Sequence, residues 1–214
     1  MRIKFLSVAL GLALTATVMS ASAQKAYTEG CVNISSTMQG MSINEKEYFR
    51  TDSNAMVMTM GPANVKVLTD ANHKFLAVIL DVEVASMKKA AIATPDELDQ
   101  AMQGMPTFTF TPTTESKQIS GFNCKKVTAK DNKSGTSYDV WITNDVTIPA
   151  SAIPPYYATV GGVPIQYTAF QQGQSAPVTV TSITDEKAPK GTFGIPADYD
   201  KITLDDLKQM SGNH

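Results

Sequence analysis

Alternation of apolar and polar positions dominates the chain from residue 45 onward. "EKEYFRTD", "NAMVMTMG", "ANVKVLTD" and "HKFLAVILDVEV" follow one another between residues 45 and 84, with Gly61-Pro62 and Asp70-Ala71-Asn72 as turn punctuation. The second half continues in the same way with "PTFTFTPTT", "FNCKKVTAK", "TSYDVWITND", "VPIQYTAFQQ" and "APVTVTSITDE". Thr, Val, Tyr and Phe are enriched in these runs, as suits strands. "YTEGCVNIS" reads as a first strand, and Asp131-Asn132-Lys133-Ser134-Gly135 reads as a hairpin loop. In "KFLAVILDV" the residues Phe75, Ala77 and Ile79 face one way and Leu76, Val78 and Leu80 the other, so both faces are apolar and both need a cover.

Two segments switch to helical spacing. Thr94-Pro95-Asp96-Glu97 combines a capping hydroxyl, a first-turn proline and two acids that oppose the helix dipole. This predicts a helix carrying Leu98, Ala101 and Met102 on one face and ending near Gly104. Thr203-Leu204-Asp205-Asp206 predicts a second, with Leu204, Leu207 and Met210 as its stripe. The predicted fold is α+β and mostly antiparallel β: a curved, incomplete barrel wrapped around one or two helices.

The first 23 residues read differently. Arg2 and Lys4 precede an apolar run over residues 5–18, and Ala21-Ser22-Ala23 has the small residues a signal peptidase reads. The segment reads as a signal peptide cleaved between Ala23 and Gln24, leaving residues 24–214 as a single β-rich domain in the periplasm or outside the cell. No cysteine directly follows the cleavage point, since the first is Cys31. After cleavage no apolar run is long enough for a transmembrane helix. A formal charge of -2 and isolated Lys pairs argue against nucleic acid as a partner.

Candidate chemistry is sparse. Histidine occurs only as His73, in a turn, and as the final His214, and neither HExxH, CxxC nor a Gly-x-Ser-x-Gly elbow is present. The reading is therefore non-enzymatic, with no catalytic residue, cofactor or zinc-type metal site. Cys31 and Cys124 are the only cysteines. In an exported chain they form either a disulfide or two buried thiols.

Methionine is in excess, with eleven in the chain. Met56, Met58 and Met60 alternate along one strand and so share a face. Together with Phe75, Ala77 and Ile79 they are the candidate lining of an apolar ligand cavity, since flexible thioethers suit a shapeless ligand. Ordinary core packing competes with this. Thioethers also bind Cu(I), and Met38, Met41, Met56, Met58 and Met60 have spacings that would serve. Tyr156, Tyr157, Tyr167 and Phe170 surround the Pro154-Pro155 and Gly161-Gly162 segment. Those rings belong either to a mobile lid or to a surface loop with its rings tucked in.

The ordered set "ISGFNCKKVTAKDNKSGTSYDVWITNDV", "GGVPIQYTAF" and "GTFGIPADYDKI" resembles an uncharacterised family of secreted bacterial domains over residues 105–200. The GLPGLI family shares part of the pattern, with Gly162-Val163-Pro164-Ile165 as a diverged form of its motif. These families look like distant relatives of LolA/LolB-type periplasmic lipoprotein carriers, an incomplete barrel with an apolar cavity for acyl chains. The resemblance implies binding of a lipid or apolar small molecule and carries over no individual ligand residue. A cell-envelope interaction module without a small ligand is the alternative, and Cu(I) binding is the third reading.

Overall fold

The computed structural model describes residues 24–38, 41–171 and 174–211, with the side chains of Met38, Met41, Gln171 and Ser211 also outside the description. The predicted signal peptide and His214 fall outside the described residues. In chain order the strands are β1 (Lys25–Ala26), β2 (Gly30–Met38), β3 (Met41–Phe49), β4 (Ser53–Met60), β5 (Ala63–Asp70), β6 (Leu76–Val82) and β7 (Met87–Ile92). Helix α1 (Pro95–Gly104) follows, then β8 (Phe108–Ile119), β9 (Phe122–Asp131), β10 (Ser137–Thr143), β11 (Val146–Thr147), β12 (Val163–Gln171), β13 (Gln174–Thr184), β14 (Asp200–Ile202) and α2 (Leu204–Ser211). The fold is mainly β within the α+β class.

Twelve strands form one sheet in the order β14-β7-β6-β5-β4-β3-β2-β13-β12-β10-β9-β8, while β1 and β11 form a separate parallel pair. Pairing in the large sheet is antiparallel except between β14 and β7. The sheet does not close, because β14 and β8 are its two edges. It must nevertheless curve. Strands β7 and β8 are ten places apart, about 48 Å along a flat sheet at ~4.8 Å per strand. The connection holds α1, of 10 residues, about 15 Å long, plus a few extended residues, so it reaches only about 35 Å. Helix α1 is thus a chord between the two ends of a curved sheet.

The helix starts as its sequence dictates. The Thr94 hydroxyl accepts from Glu97 N and the Glu97 carboxylate accepts from Thr94 N, a complete capping box. The other Glu97 oxygen accepts from Asp205 N at 2.7 Å, joining α1 to the start of α2. Neither helix fills the sheet, which corrects the expectation of a barrel wrapped around helices. Glu97 is the one buried residue of α1, and Met102 and Met210 are 39% and 38% exposed. The physical reason is a narrow stripe: Leu98 and Met102 alone offer too little apolar surface to seat a helix on a sheet.

Two irregular segments do the covering instead, one on each face. Cross-strand partners share a face, so the pairings define two rows. Val32, Glu47, Met56, Val67, Val78 and Ala91 lie on one face; Cys31, Tyr48, Ala55, Leu68, Ala77 and Ile92 lie on the other. Residues 148–162, with short 3-10 turns at Ala150–Ala152 and Pro155–Tyr157, pack on the first face over β2, β13, β12, β10 and β9. Residues 185–199 pack on the second face over β4 to β7, where Phe193, Ile195 and Tyr199 meet Ala55, Leu68, Ala77, Ile79 and Ala90. We call these segments the plug and the strap.

Candidate functional site

The plug is anchored by aromatic rings. Tyr157 is fully buried. Its ring stacks on Phe108 with centroids 5.5 Å apart and meets Tyr156 and Tyr167 edge-on at 4.8 and 5.4 Å. Its hydroxyl donates to Thr168 O at 2.8 Å, which satisfies the one polar atom that burial would otherwise strand. Phe170 packs edge-on to Tyr138 and Tyr156. The rings are tucked in, and the segment that carries them is the core of this half of the molecule rather than a surface loop.

Where the plug ends, between β3 and β4, a polar seam is buried. Glu47 is 9% exposed and accepts a hydrogen bond from Asn54 Nδ2, which also donates to Ser151 O at 2.9 Å. The Ser151 hydroxyl donates to Arg50 O at 2.7 Å, so the plug is tied to β4 and to the residue that follows β3. Glu45, two residues along the same face, accepts from the Ser36 hydroxyl at 2.7 Å. Burial pushes the Glu47 carboxyl up to about 7, with the Glu45 charge adding to the shift and the Asn54 hydrogen bond opposing it. The seam was readable in "NEKEYF", where strand alternation sets Glu45, Glu47 and Phe49 on one side and Lys46 and Tyr48 on the other.

Beyond the seam the same face changes character. Met56 and Met58 of β4, Val65 and Val67 of β5, and Leu76, Val78 and Leu80 of β6 form a continuous apolar surface that is only half-buried, and Met60 is 41% exposed. The candidate lining residues are split by this geometry. Met56, Met58 and Met60 lie on this open face, whereas Ala77 and Ile79 lie on the opposite one, buried beneath the strap. Phe75 precedes β6 and is 37% exposed. The six residues therefore do not line one cavity, because β6 sends its alternate side chains to two sides of the sheet.

Cys31 and Cys124 are both free and buried, so of the two readings it is the pair of buried thiols and not the disulfide that the structure has. They sit on β2 and β9, four places apart in the sheet, roughly 19 Å at ~4.8 Å per strand, well beyond bridging range. Burial pushes the Cys31 thiol up to about 11 and raises Cys124 as well, so neither is an activated nucleophile. His73 occupies a turn with φ 54. Among the described residues there is no group of three or more His, Cys, Asp or Glu that could hold a metal. Met38 of β2 and Met41 of β3 are partners in the strand pairing, with side chains outside the description. Among the described residues no helix is long and apolar enough to cross a membrane.

A family model described as a domain of unknown function, DUF4412, matches residues 28–150. That is more than half of the chain. The chain belongs to the DUF4412 family. No curated relative matches it. Among solved structures, PNGF-II in a C2 crystal form is 15% identical with a TM-score of 0.50, covering 87% of this chain and 33% of its own. PNGF-II in a P21 form is 13% identical at the same TM-score, covering 87% of this chain and 34% of its own. At such identities the likeness is one of fold alone, and the chain spans about a third of those structures. None of these matches is to GLPGLI proteins or to LolA/LolB-type carriers. The DUF4412 match takes in β2 to β11, including the β8 edge, but leaves out the opposite edge β14, the strands β12 and β13, which join the two blocks, and the aromatic part of the plug.

Proposed function

We propose that this DUF4412 protein is a non-enzymatic binding protein for an apolar ligand, a lipid or acyl chain, held against the open face of β4, β5 and β6. The observation that carries the reading is the half-buried surface of Met56, Met58, Val65, Val67, Val78 and Leu80, next to a half of the same face that is fully plugged. A sheet face this apolar gains about 25 cal/mol for each Å² it withdraws from water. Methionine side chains adapt to a chain of undefined shape. Export through a cleaved signal peptide and a distant kinship to the LolA/LolB-type carriers belong to the same proposal.

The test is native mass spectrometry of the protein purified from a bacterial periplasm without detergent, followed by titration with the neutral fluorophore N-phenyl-1-naphthylamine. The expected result is a bound mass in the lipid range, and probe binding weakened several-fold by Met56→Ser/Val67→Ser. A clean apo mass together with probe binding indifferent to that double substitution would overturn the proposal. The same spectrum reports bound copper, which would favour the thioethers of Met56, Met58 and Met60 as ligands instead.

A further inference from the structure

The strap side of the sheet holds a wide groove of about 940 Å³ between the strap and β2 to β5. Its volume lies in the ~300–1,000 Å³ range of small-molecule sites. The sheet wall is a cross-strand row: Asn33 on β2, Lys46 on β3, Val57 on β4 and Lys66 on β5, with Asn44 and Tyr48 beside it. The strap wall supplies Pro189, Lys190, Thr192 and Pro196.

The charges of this groove are unbalanced: Glu45 also lines it, but strand alternation sets its side chain on the other face of the sheet, where it accepts from Ser36. Lys46 is neutralised by Glu186 at 2.8 Å, a carboxylate that also accepts from the Tyr48 hydroxyl at 3.0 Å. Lys66 is not. Its ammonium donates to two strap carbonyls, Gly194 O at 2.9 Å and Gly191 O at 3.3 Å, and among the described residues it has no carboxylate partner. An ammonium carries three donors, so one N–H remains. Lys66 is half-buried and burial lowers its pKa, as expected of a cation without a counter-charge. Lys190 is exposed on the strap and, among the described residues, has no ion-pair partner either. The chain as a whole carries a formal charge of -2, so this local excess of positive charge runs against the rest of the molecule. Val57, Pro189 and Pro196 provide apolar surface between the cations.

We infer that the groove beneath the strap is a second binding site, for a small amphiphilic anion that bears a carboxylate or phosphate group. The anionic group sits between Lys66 and Lys190, taking the spare N–H of Lys66 and restoring its missing counter-charge. The apolar part lies along Val57 and the two prolines. The site is on the opposite face of the sheet from the apolar surface of Met56, Val67 and Val78 and does not depend on it.

The experiment is calorimetric titration of the full chain with octyl phosphate and with octanoate, using octyl glucoside as the neutral amphiphile of equal tail length. Expected is saturable 1:1 binding of one or both anions, at least about tenfold tighter than the glucoside and weakened by added salt, as for a contact carried by charge. Tighter binding of octyl phosphate than of octanoate assigns a phosphate site, and the reverse a carboxylate site. Lys66→Met and Lys190→Gln should each lower the affinity by several-fold, and Lys66→Arg should retain most of it. Lys190→Gln guards against a Lys66 variant that merely loosens the strap. Met56→Ser/Val67→Ser should leave anion binding unchanged. Equal affinity for the anions and the glucoside, or anion binding indifferent to both lysine variants, would overturn the inference.

Discussion

On one face of the sheet, two halves of similar composition meet different fates. Over β2, β13, β12, β10 and β9 the plug presses Tyr157, Val160 and Ala152 onto Ile165, Val178 and Val180, and all of them are buried. Over β4, β5 and β6 the apolar residues of that same face remain half-buried. The strands themselves are equally apolar in both halves. What differs is the supply of covering side chains. The plug delivers large rings from a proline-rich segment whose backbone is already fixed by Pro149, Pro154 and Pro155. The helix that spans the ends of the sheet buries nothing larger than Glu97. Coverage of a sheet is thus decided by the connecting segments rather than by the strands, and a face left open while still apolar is available to a ligand.

The sharpest way to break this comparison is to truncate one side chain in each half. Tyr157→Ala removes a fully buried ring that touches Phe108, Phe110, Tyr156 and Tyr167, and the expected loss is about 3–5 kcal/mol in urea unfolding. Met56→Ala on the open face should cost no more than about 1.5 kcal/mol, because a half-exposed side chain leaves a dent filled by water rather than a cavity. Equal losses would mean that the open face is packed after all, and the apolar-ligand proposal would lose its basis.

The boundary between the halves should respond to pH. Glu47 titrates near 7 in the folded protein and near 4.5 when unfolded. Below pH 4.5 both states hold the proton. Between about pH 4.5 and 7 only the unfolded chain releases it, so stability falls as pH rises through that window and levels off above it. The full drop is about 3 kcal/mol, because each pH unit of that window is worth ~1.4 kcal/mol. Glu47→Gln keeps the shape and the acceptor for Asn54 without the ionisation, so its unfolding free energy should lose this slope. A wild-type slope that Glu47→Gln leaves intact would place the buried proton on another group.

Much of the fold was legible in alternation. Strands β4, β5, β9, β10 and β12 fall within a few residues of their predicted runs, and α1 begins at the Thr94 cap and ends at Gly104. β7 was not legible. Its sequence "MKKAAI" has no strand-forming excess, and it is held by β6 on one side and β14 on the other. The plug was legible as rings but not as core, since prolines and glycines signal a loop while only tertiary contact shows where Tyr157 points. The candidate site was half legible. Alternation placed Met56, Met58 and Met60 on a common face correctly, but grouping them with Ala77 and Ile79 required a register between strands that periodicity within each strand does not contain.

The smallest effect concerns the strap. Tyr199 donates from its hydroxyl to Asp81 Oδ2 at 2.8 Å, and the neighbouring Lys88–Asp198 pair lies exposed. Exposed pairs of that kind contribute little, so the partly buried Tyr199 hydroxyl is the stronger polar tie at this end of the strap. Tyr199→Phe removes it without changing the ring, and the expected cost is about 1 kcal/mol. The informative question is where that loss appears. The strap covers Ala77 and Ile79, which are buried on the central strand of its half. If strap and sheet unfold together, the urea midpoint falls and amide exchange in residues 188–199 quickens only in step with it. If the strap opens by itself, exchange there quickens several-fold while the midpoint stays put. Burial of the β6 side chains beneath it predicts the first outcome. The second would make the strap a movable wall of the anion groove, and Lys66, which holds its carbonyls, would then be the residue that couples ligand to closure.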